Sequence, residues 1–406
     1  MTGSSVFKMP ERLPEQSDRD YHIASARERL VDFGSWRQAH LQKSRNRVDK
    51  RMSLKEAVQK FVNDGDIVSD TGFTWVRGCI QATIEMIRQE KKELTLMGAP
   101  MGTAGWLTGA GIVKYLHNCY TGAEMRGVDR MFSNNIKTGL VKVMSEWSHG
   151  SMALGFKAAQ LGVPYMAGKI MLGSDMLKYN PYIKAVHNEF KPDQENEKVC
   201  LIPALYPDVV FIHVQQADKY GNARIWGPIV NDAALAVAAR KVVITCEEVV
   251  PEELMQRDTA ANVIPFLYVD AVVEMPFGNL PSSVPGYYYW HREWWEQNIR
   301  VDFLSEEGFK KTLDKWVYGC RDYHDFIDKL GGGSRFLTKA VKLQKVAEGL
   351  HDIDSIDYAY EEVGPNHPTW RYPWEGTYEE EFARMKSNLD RLAELDAFEK
   401  KREEGE

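Results

Sequence analysis

From residue 52 onward the chain alternates two hydrophobic periods. Short apolar runs of strand type, such as IVSD, LTLMG, VVFIHVQ, KVVITC and AVVEM, are separated by stretches in which apolar residues recur every three to four positions. Strands that are apolar on both sides are buried on both faces, and helical crossovers between them produce a mostly parallel sheet covered by helices. The pattern predicts strands at 66–70, 93–98, 112–118, 141–145, 164–169, 208–215, 241–246 and 269–275, with helices at 78–90, 150–161 and 231–239. A further helix begins at SLKEAVQKFV, where Ser53 is the N-cap, and ends before Asp64-Gly65. The expected fold is therefore α/β, an open, mostly parallel sheet with helices on both faces and helical extensions at both ends. No internal repeat is visible.

Three segments follow from this pattern. Residues 1–51 form an N-terminal arm, in which Leu30, Phe33, Trp36 and Leu41 lie at near-helical spacing and predict one amphipathic helix. Residues 52–300 form the α/β domain. Residues 301–406 form a charged helical extension: amphipathic turns in FLSEEGFKKTLDKWVYGC and YHDFIDKLGG, a Gly332-Gly333 break, a Pro- and Trp-rich strap at 363–376, and a final helix with Phe382, Met385, Leu389 and Leu392 on one stripe.

Composition narrows the class. A chain of 406 residues with 44% apolar content buries a full core, yet charged residues or Asn interrupt every apolar run before the roughly 18 residues a membrane helix needs. The N-terminus lacks the basic-then-apolar order of a secretion signal, so a cytoplasmic address is expected. A net charge of −7 argues against nucleic acid as a partner. The five cysteines are scattered, and the ten histidines show no HxxxH or HExxH spacing, so neither a disulfide framework nor a metal site is expected.

The turn TGFTWVRG at 71–78 follows a buried strand and precedes a helix, the place where open α/β sheets bind ligands. Gly72 permits positive φ and close backbone approach, and Arg77 is a candidate bidentate partner for a substrate carboxylate. GAPMGTAG at 98–105 has GxxxGxxG spacing, and the next strand ends without a ribose-binding acid, which argues against a nicotinamide or flavin site. In MSEWSHG, Glu146, Ser148 and His149 stand before a helix start; Glu146 is a candidate acid, base or orienting carboxylate, and capping of that helix is the structural alternative. Gly173-Ser174 after PYMAGKIM is either a hydroxyl and backbone site for a thioester oxygen or a capped turn. Asp218 with Gly221-Asn222 reads as a hairpin turn, and the aromatics of GYYYWHREWWEQ read as core, acyl pocket or subunit contact.

Taken in order, FVNDGDIVSDTGF, NCYT, QQADKYGN, RIWG, TCEE and VDAVVEMPFG over residues 52–330 resemble the α half of the family I CoA-transferases, glutaconate type. The resemblance implies a CoA-transferase or phosphosugar-isomerase-like fold and a substrate site of Gly72, Phe73, Thr74, Arg77, Tyr120, Ser148, Gly173 and Ser174, with Glu146 as the catalytic carboxyl. It implies CoA or acyl-CoA as substrate rather than a permanently bound cofactor, and a homologous β subunit in a heterodimer or α2β2 complex. That β subunit carries the nucleophilic glutamate in a Ser-Glu-Asn-Gly type motif, so Glu247 and Glu248 are not assigned that role. Here Thr71-Gly72-Phe73 stands where the family has Gly-Gly-Phe, and no proline follows before Ile84. That departure, Glu146 and the aromatic stretch after 286 keep a second reading open, a two-chain hydrolase that cleaves a carbon–carbon bond in a cyclic β-keto acyl-CoA; a noncatalytic ligand-binding subunit on the same fold is a third.

Overall fold

The structure, a computed structural model, describes residues 29–347 except 74, 99–102, 122–128, 195–196 and 332. In chain order the described elements are α1 (Phe33–Leu41), α2 (Leu54–Phe61), β1 (Ile67–Asp70), α3 (Ile80–Arg88), β2 (Leu94–Gly98), α4 (Ala104–Gly109), β3 (Val113–Asn118), α5 (Arg130–Lys137), β4 (Lys142–Glu146), α6 (His149–Leu161) and β5 (Tyr165–Gly168). They continue with β6 (Lys184–His187), β7 (Lys198–Pro203), β8 (Val209–Ala217), β9 (Ala223–Arg224), α7 (Asp232–Ala238), β10 (Lys241–Val249), α8 (Glu252–Arg257) and β11 (Ala271–Glu274). The last are α9 (Arg292–Arg300), α10 (Glu306–Leu313), α11 (Tyr323–Leu330) and α12 (Ser334–Ala347).

The strand runs assemble into one sheet of order β11-β10-β8-β1-β2-β3-β4, parallel along this path, with β9 pairing antiparallel to β8. The alternation of side chains along each strand divides the core. Val68, Val209, Phe211 and Val243 face a cluster with α2, α3, α4 and α5, whereas Ile67, Val210, Ile212 and Ile244 face one with α6 and α7. Helices therefore cover both faces, as the sequence pattern requires. The entry into β1 is fixed locally: Ser53 and Glu56 cap α2 reciprocally, and Ala57, Val58 and Phe61 form its buried stripe.

β5, β7 and β6 form a separate three-stranded antiparallel sheet. Its strands are partly exposed, and β6 and β7 carry Lys and His among their apolar residues, so neither shows the continuous apolar run of a buried strand. In α1, Leu30 just ahead of the helix is fully buried, Trp36 Nε1 donates to the Val237 carbonyl at 3.0 Å, and the His40 ring lies 2.9 Å from the Ala239 carbonyl. The arm thus packs on α7 of its own chain.

Packing runs straight through the expected boundary at 300. Trp106 of α4 stacks on Trp294 of α9, with ring centroids 5.4 Å apart and planes 3° from parallel, and beyond residue 300 it meets Phe303 edge-on at 5.5 Å. Phe309 of α10 presses on Gly109, where a Cβ would lie 2.6 Å from the ring. Phe303, Trp316, Phe326, Leu330 and Ala340 share this core, so residues 303–340 belong to the same packed body as the sheet. The aromatics of 286–297 follow their core reading, with Tyr288, Trp294 and Trp295 buried. The strap at 363–376 and the stripe of Phe382, Met385, Leu389 and Leu392 lie outside the described residues. Among the described residues no helix is long and apolar enough to cross a membrane.

Candidate functional site

From β1 the chain steps outward through β2, β3 and β4, then returns to lay β8 on the other side of β1 before moving on to β10 and β11. The order reverses at the carboxyl ends of β1 and β8, and such a reversal is where an open α/β sheet has its ligand crevice. β1 stops at Asp70, opposite Phe211, while β8 and β10 run on together as far as Ala217 and Val249. The loop after β1 is consequently backed by a ledge of sheet.

That loop is a tight turn. Phe73 and Val76 exchange backbone hydrogen bonds of 2.9 Å, and Gly72 has φ 121°. A Cβ on Gly72 would lie 2.6 Å from the Val76 carbonyl oxygen, so the position requires glycine. Phe73 is about half exposed at this end of the sheet. Thr74 lies outside the described residues.

Arg77 corrects the sequence reading. Its side chain is fully enclosed: Nη1 and Nη2 donate to Asp232 Oδ1 and Oδ2 at 2.6 and 3.1 Å, Nη1 also to the His213 carbonyl, and Nη2 to the Pro228 carbonyl. The bidentate fork expected for a substrate carboxylate is filled by Asp232, so Arg77 ties the turn to α7 and β8.

Glu247 is equally committed. Its carboxylate accepts from the buried Tyr288 Oη, from the buried His213 Nε2 at 2.9 Å and from the part-buried Phe277 amide at 2.7 Å. Since a carboxylate only accepts, His213 carries its proton on Nε2, and Nδ1 receives the Thr245 hydroxyl at 2.9 Å. Glu247 and Arg77 are structural elements of the wall. Glu248 is exposed and 3.1 Å from Gln216 Nε2.

The remaining sequence candidates gather at the β3–β4 edge. Glu146 accepts from Asn118 Nδ2 at 2.8 Å, and its backbone carbonyl accepts from Asn180 Nδ2 at 2.8 Å. Tyr120, partly exposed, sits with its ring centroid 5.6 Å from that of His149. Ser148 caps α6 by accepting from the Ser151 amide at 3.1 Å, and Ser174 caps the 3-10 turn Asp175–Tyr179 by accepting from the Met176 amide at 3.0 Å. Gly173 supplies the positive φ of 76° ahead of it. Both serines thus perform the capping roles that were their structural alternatives. β1 and β4 are separated by β2 and β3 in the sheet, roughly 14 Å, so the Gly72–Phe73 turn and Glu146 form two rims of the crevice rather than one cluster.

Asp70 was not singled out in the sequence. It ends β1 beside the reversal, is partly exposed, and has Thr103 Oγ1 at 3.4 Å from Oδ2. Burial, with no cationic group among the described residues to offset it, pushes its carboxyl up to about 7. The available signal was an acid closing an otherwise apolar strand directly before the glycine turn. Because the folded state holds this proton more tightly than the unfolded chain does, stability falls as pH rises from about 4 to about 7. Asp66, pushed by burial to about 6, acts in the same direction. Asp70→Asn is expected to stabilise the protein at pH 8 by on the order of 2 kcal/mol, after allowing for partial solvent contact, and to flatten the dependence; urea titrations at pH 5 and 8 measure it.

The matches to known proteins agree with this geometry. Residues 51–275 match the family model described as "Coenzyme A transferase". The A subunit of glutaconate CoA-transferase from Acidaminococcus fermentans is 33% identical over 320 residues, covering 75% of this chain and 97% of that protein. The IpdA subunit of the cholesterol ring-cleaving hydrolase from Rhodococcus jostii is 28% identical, covering 68% of this chain and 94% of that one. The crystal structure of glutaconate coenzyme A-transferase from Acidaminococcus fermentans superimposes with a TM-score of 0.67 at 32% identity, covering 72% of this chain and 95% of that chain. This chain belongs to the coenzyme A transferase family, as a homologue of its A subunits.

Proposed function

We propose that this chain is the α half of a two-chain cytoplasmic enzyme that moves coenzyme A between carboxylic acids, with the attacking glutamate supplied by a homologous β subunit. The observation that carries this reading is the match to the A subunit of glutaconate CoA-transferase over 97% of that protein's length. The geometry supports it in one respect. Glu247 is enclosed by three donors, so this carboxylate at the sheet's carboxyl end is not available for attack. Glu146 and Tyr120 would border the acyl group from the β4 rim, with Gly72 and Phe73 on the β1 rim.

The chemistry proceeds by exchange at one carbonyl carbon. The partner's glutamate carboxylate attacks the thioester carbon, the C–S bond breaks, and CoA thiolate leaves an acyl–glutamyl anhydride. The thiolate then attacks the glutamyl carbonyl, releasing the first carboxylic acid and leaving a glutamyl-CoA thioester; a second acid reverses both steps.

The complex isolated through a tag on this chain is expected to form, with an acyl-CoA, a thioester on the partner chain that borohydride reduces and peptide mass spectrometry locates. Absence of that adduct with every acyl-CoA offered, together with water-dependent cleavage of a cyclic β-keto acyl-CoA, would replace transfer by the carbon–carbon hydrolase reading that the IpdA match favours.

A further inference from the structure

The helices after residue 290 enclose a cavity of about 450 Å³ between α9, α10, α11 and a π-helical turn, Asp314–Tyr318. None of the residues lining it belongs to the two rims of the crevice. Its volume lies within the range of small-molecule sites. The lining is cationic: Lys311, Lys315 and Lys329 stand against one acid, Asp302, in a chain whose net charge is −7.

Two of the three charges are unspent. Lys311 Nζ lies 2.7 Å from Glu307 Oε1 and is neutralised there. Lys315 stands over the Trp316 ring, 4.4 Å from its centroid, and Lys329 Nζ donates to the Lys315 and Gly319 carbonyls at 3.0 and 2.8 Å. Carbonyls orient an ammonium without cancelling its charge. Asp325, one turn before Lys329 on α11, is held by Arg321 at 2.6 and 2.7 Å, and neither lysine has an ion-pair partner among the described residues. The π-helical turn, a rare form that recurs at functional sites, places Lys315 and Trp316 in the lining, and Lys329 secures it through those two carbonyls. Hydrogen bonding around the cavity is also incomplete. Asn298 Nδ2 donates to the Trp294 carbonyl at 2.6 Å, which leaves Oδ1 buried without a partner among the described residues, and Thr312 Oγ1, on another lining residue, is in the same state.

We propose that this cavity binds a small phosphate ester bearing hydroxyl groups, its phosphate held by Lys315 and Lys329 and its hydroxyls by Asp302 and Gln297. Phosphate fits better than carboxylate because the lysines of the lining are compact point charges, whereas planar bidentate recognition of a carboxylate belongs to arginine. Hydroxyls fit because Asp302 only accepts: its Oδ1 takes Gln297 Nε2 at 3.0 Å, and its Oδ2 is left for a donor that the ligand brings. The indoles of Trp294 and Trp316 are only 4% and 6% exposed, so the body of the ligand is held by polar contacts rather than by stacking. A sugar phosphate and the ribose phosphate of a nucleotide share this chemistry. The site is independent of the acyl-CoA reading, and neither result decides the other.

Calorimetry on the tagged full-length protein at low ionic strength tests the site with glucose 6-phosphate, AMP, inorganic phosphate, glucose and adenosine. At least one of the two esters is expected to bind at least about tenfold more tightly than inorganic phosphate and than its own dephosphorylated form, and the ester preferred tells a sugar phosphate from a nucleotide. In Lys315→Gln that ester loses about tenfold or more in affinity, while the urea midpoint stays close to the native value because Lys315 is exposed. Hydrogen exchange of the native protein with the same ester shows added protection in peptides from 297–330. The proposal is overturned if neither ester binds better than inorganic phosphate, if Lys315→Gln binds as the native protein does, or if the protection falls on 70–77 and 146–149 instead. That last pattern is the one an ester captured by the acyl-CoA crevice would give.

Discussion

Asp232→Ala is expected to lose about 3–5 kcal/mol of stability, because it strands the Arg77 guanidinium inside the protein without its counter-ion. Arg77 is fully buried and Asp232 only 1% exposed, so solvent cannot replace the missing carboxylate. The damage would spread along the connections the pair makes. Arg77 joins the β1 turn to the His213 carbonyl on β8 and to the Pro228 carbonyl ahead of α7. Urea denaturation of the variant measures the loss. Arg77→Met with Asp232→Leu should recover part of it, since removing both charges is far less costly than removing one. A cost below about 1 kcal/mol for Asp232→Ala would mean that the guanidinium finds water, and that the turn is looser than its hydrogen bonds imply.

Glu247→Ala is expected to cost about 3 kcal/mol or more. Three donors converge on this carboxylate, Tyr288 Oη and His213 Nε2 buried and the Phe277 amide part-buried, and each buried donor left unpaired costs about 1–3 kcal/mol. Glu247→Gln keeps an acceptor oxygen at the same place and should cost distinctly less, although its amide then faces donors. Phe277, held at φ 59°, loses the acceptor that fixes its amide, so the segment after β11 should become more accessible to hydrogen exchange. Comparing the two variants by urea titration separates loss of the acceptor from loss of charge.

The sheet was legible because its strands advertise themselves: VVFIHVQ and KVVITC have to be buried on both faces, and β8 and β10 are. α4 and α5 were not legible. AGWLTG carries two glycines and reads as a loop, and its helix depends on Trp106 finding Trp294 far along the chain. α5 instead buries Asn134 and Asn135 beside Met131 and Phe132, polar residues that obscure the apolar stripe. The site was legible in location more than in role. Gly72 and Phe73 lie at the crevice as the turn chemistry requires, but a sequence does not tell whether an arginine fork faces a ligand or an aspartate 155 residues later. Ser148 and Ser174 illustrate the same ambiguity, since a hydroxyl before a helix suits a cap and a ligand equally. Asp70 was passed over because it counted as the end of a strand.

The stacked indoles of Trp106 and Trp294 also bear on how such chains are recombined. A hybrid that takes its first 300 residues from one relative and its remaining helices from another would keep this stack, yet it would mate the Gly109 hollow of one parent with whatever ring the other brings in place of Phe309. A crossover at 188–194, although it falls on a turn where Phe190 is 95% exposed, fares worse, because it also parts Trp106 from Trp294 and Arg77 from Asp232.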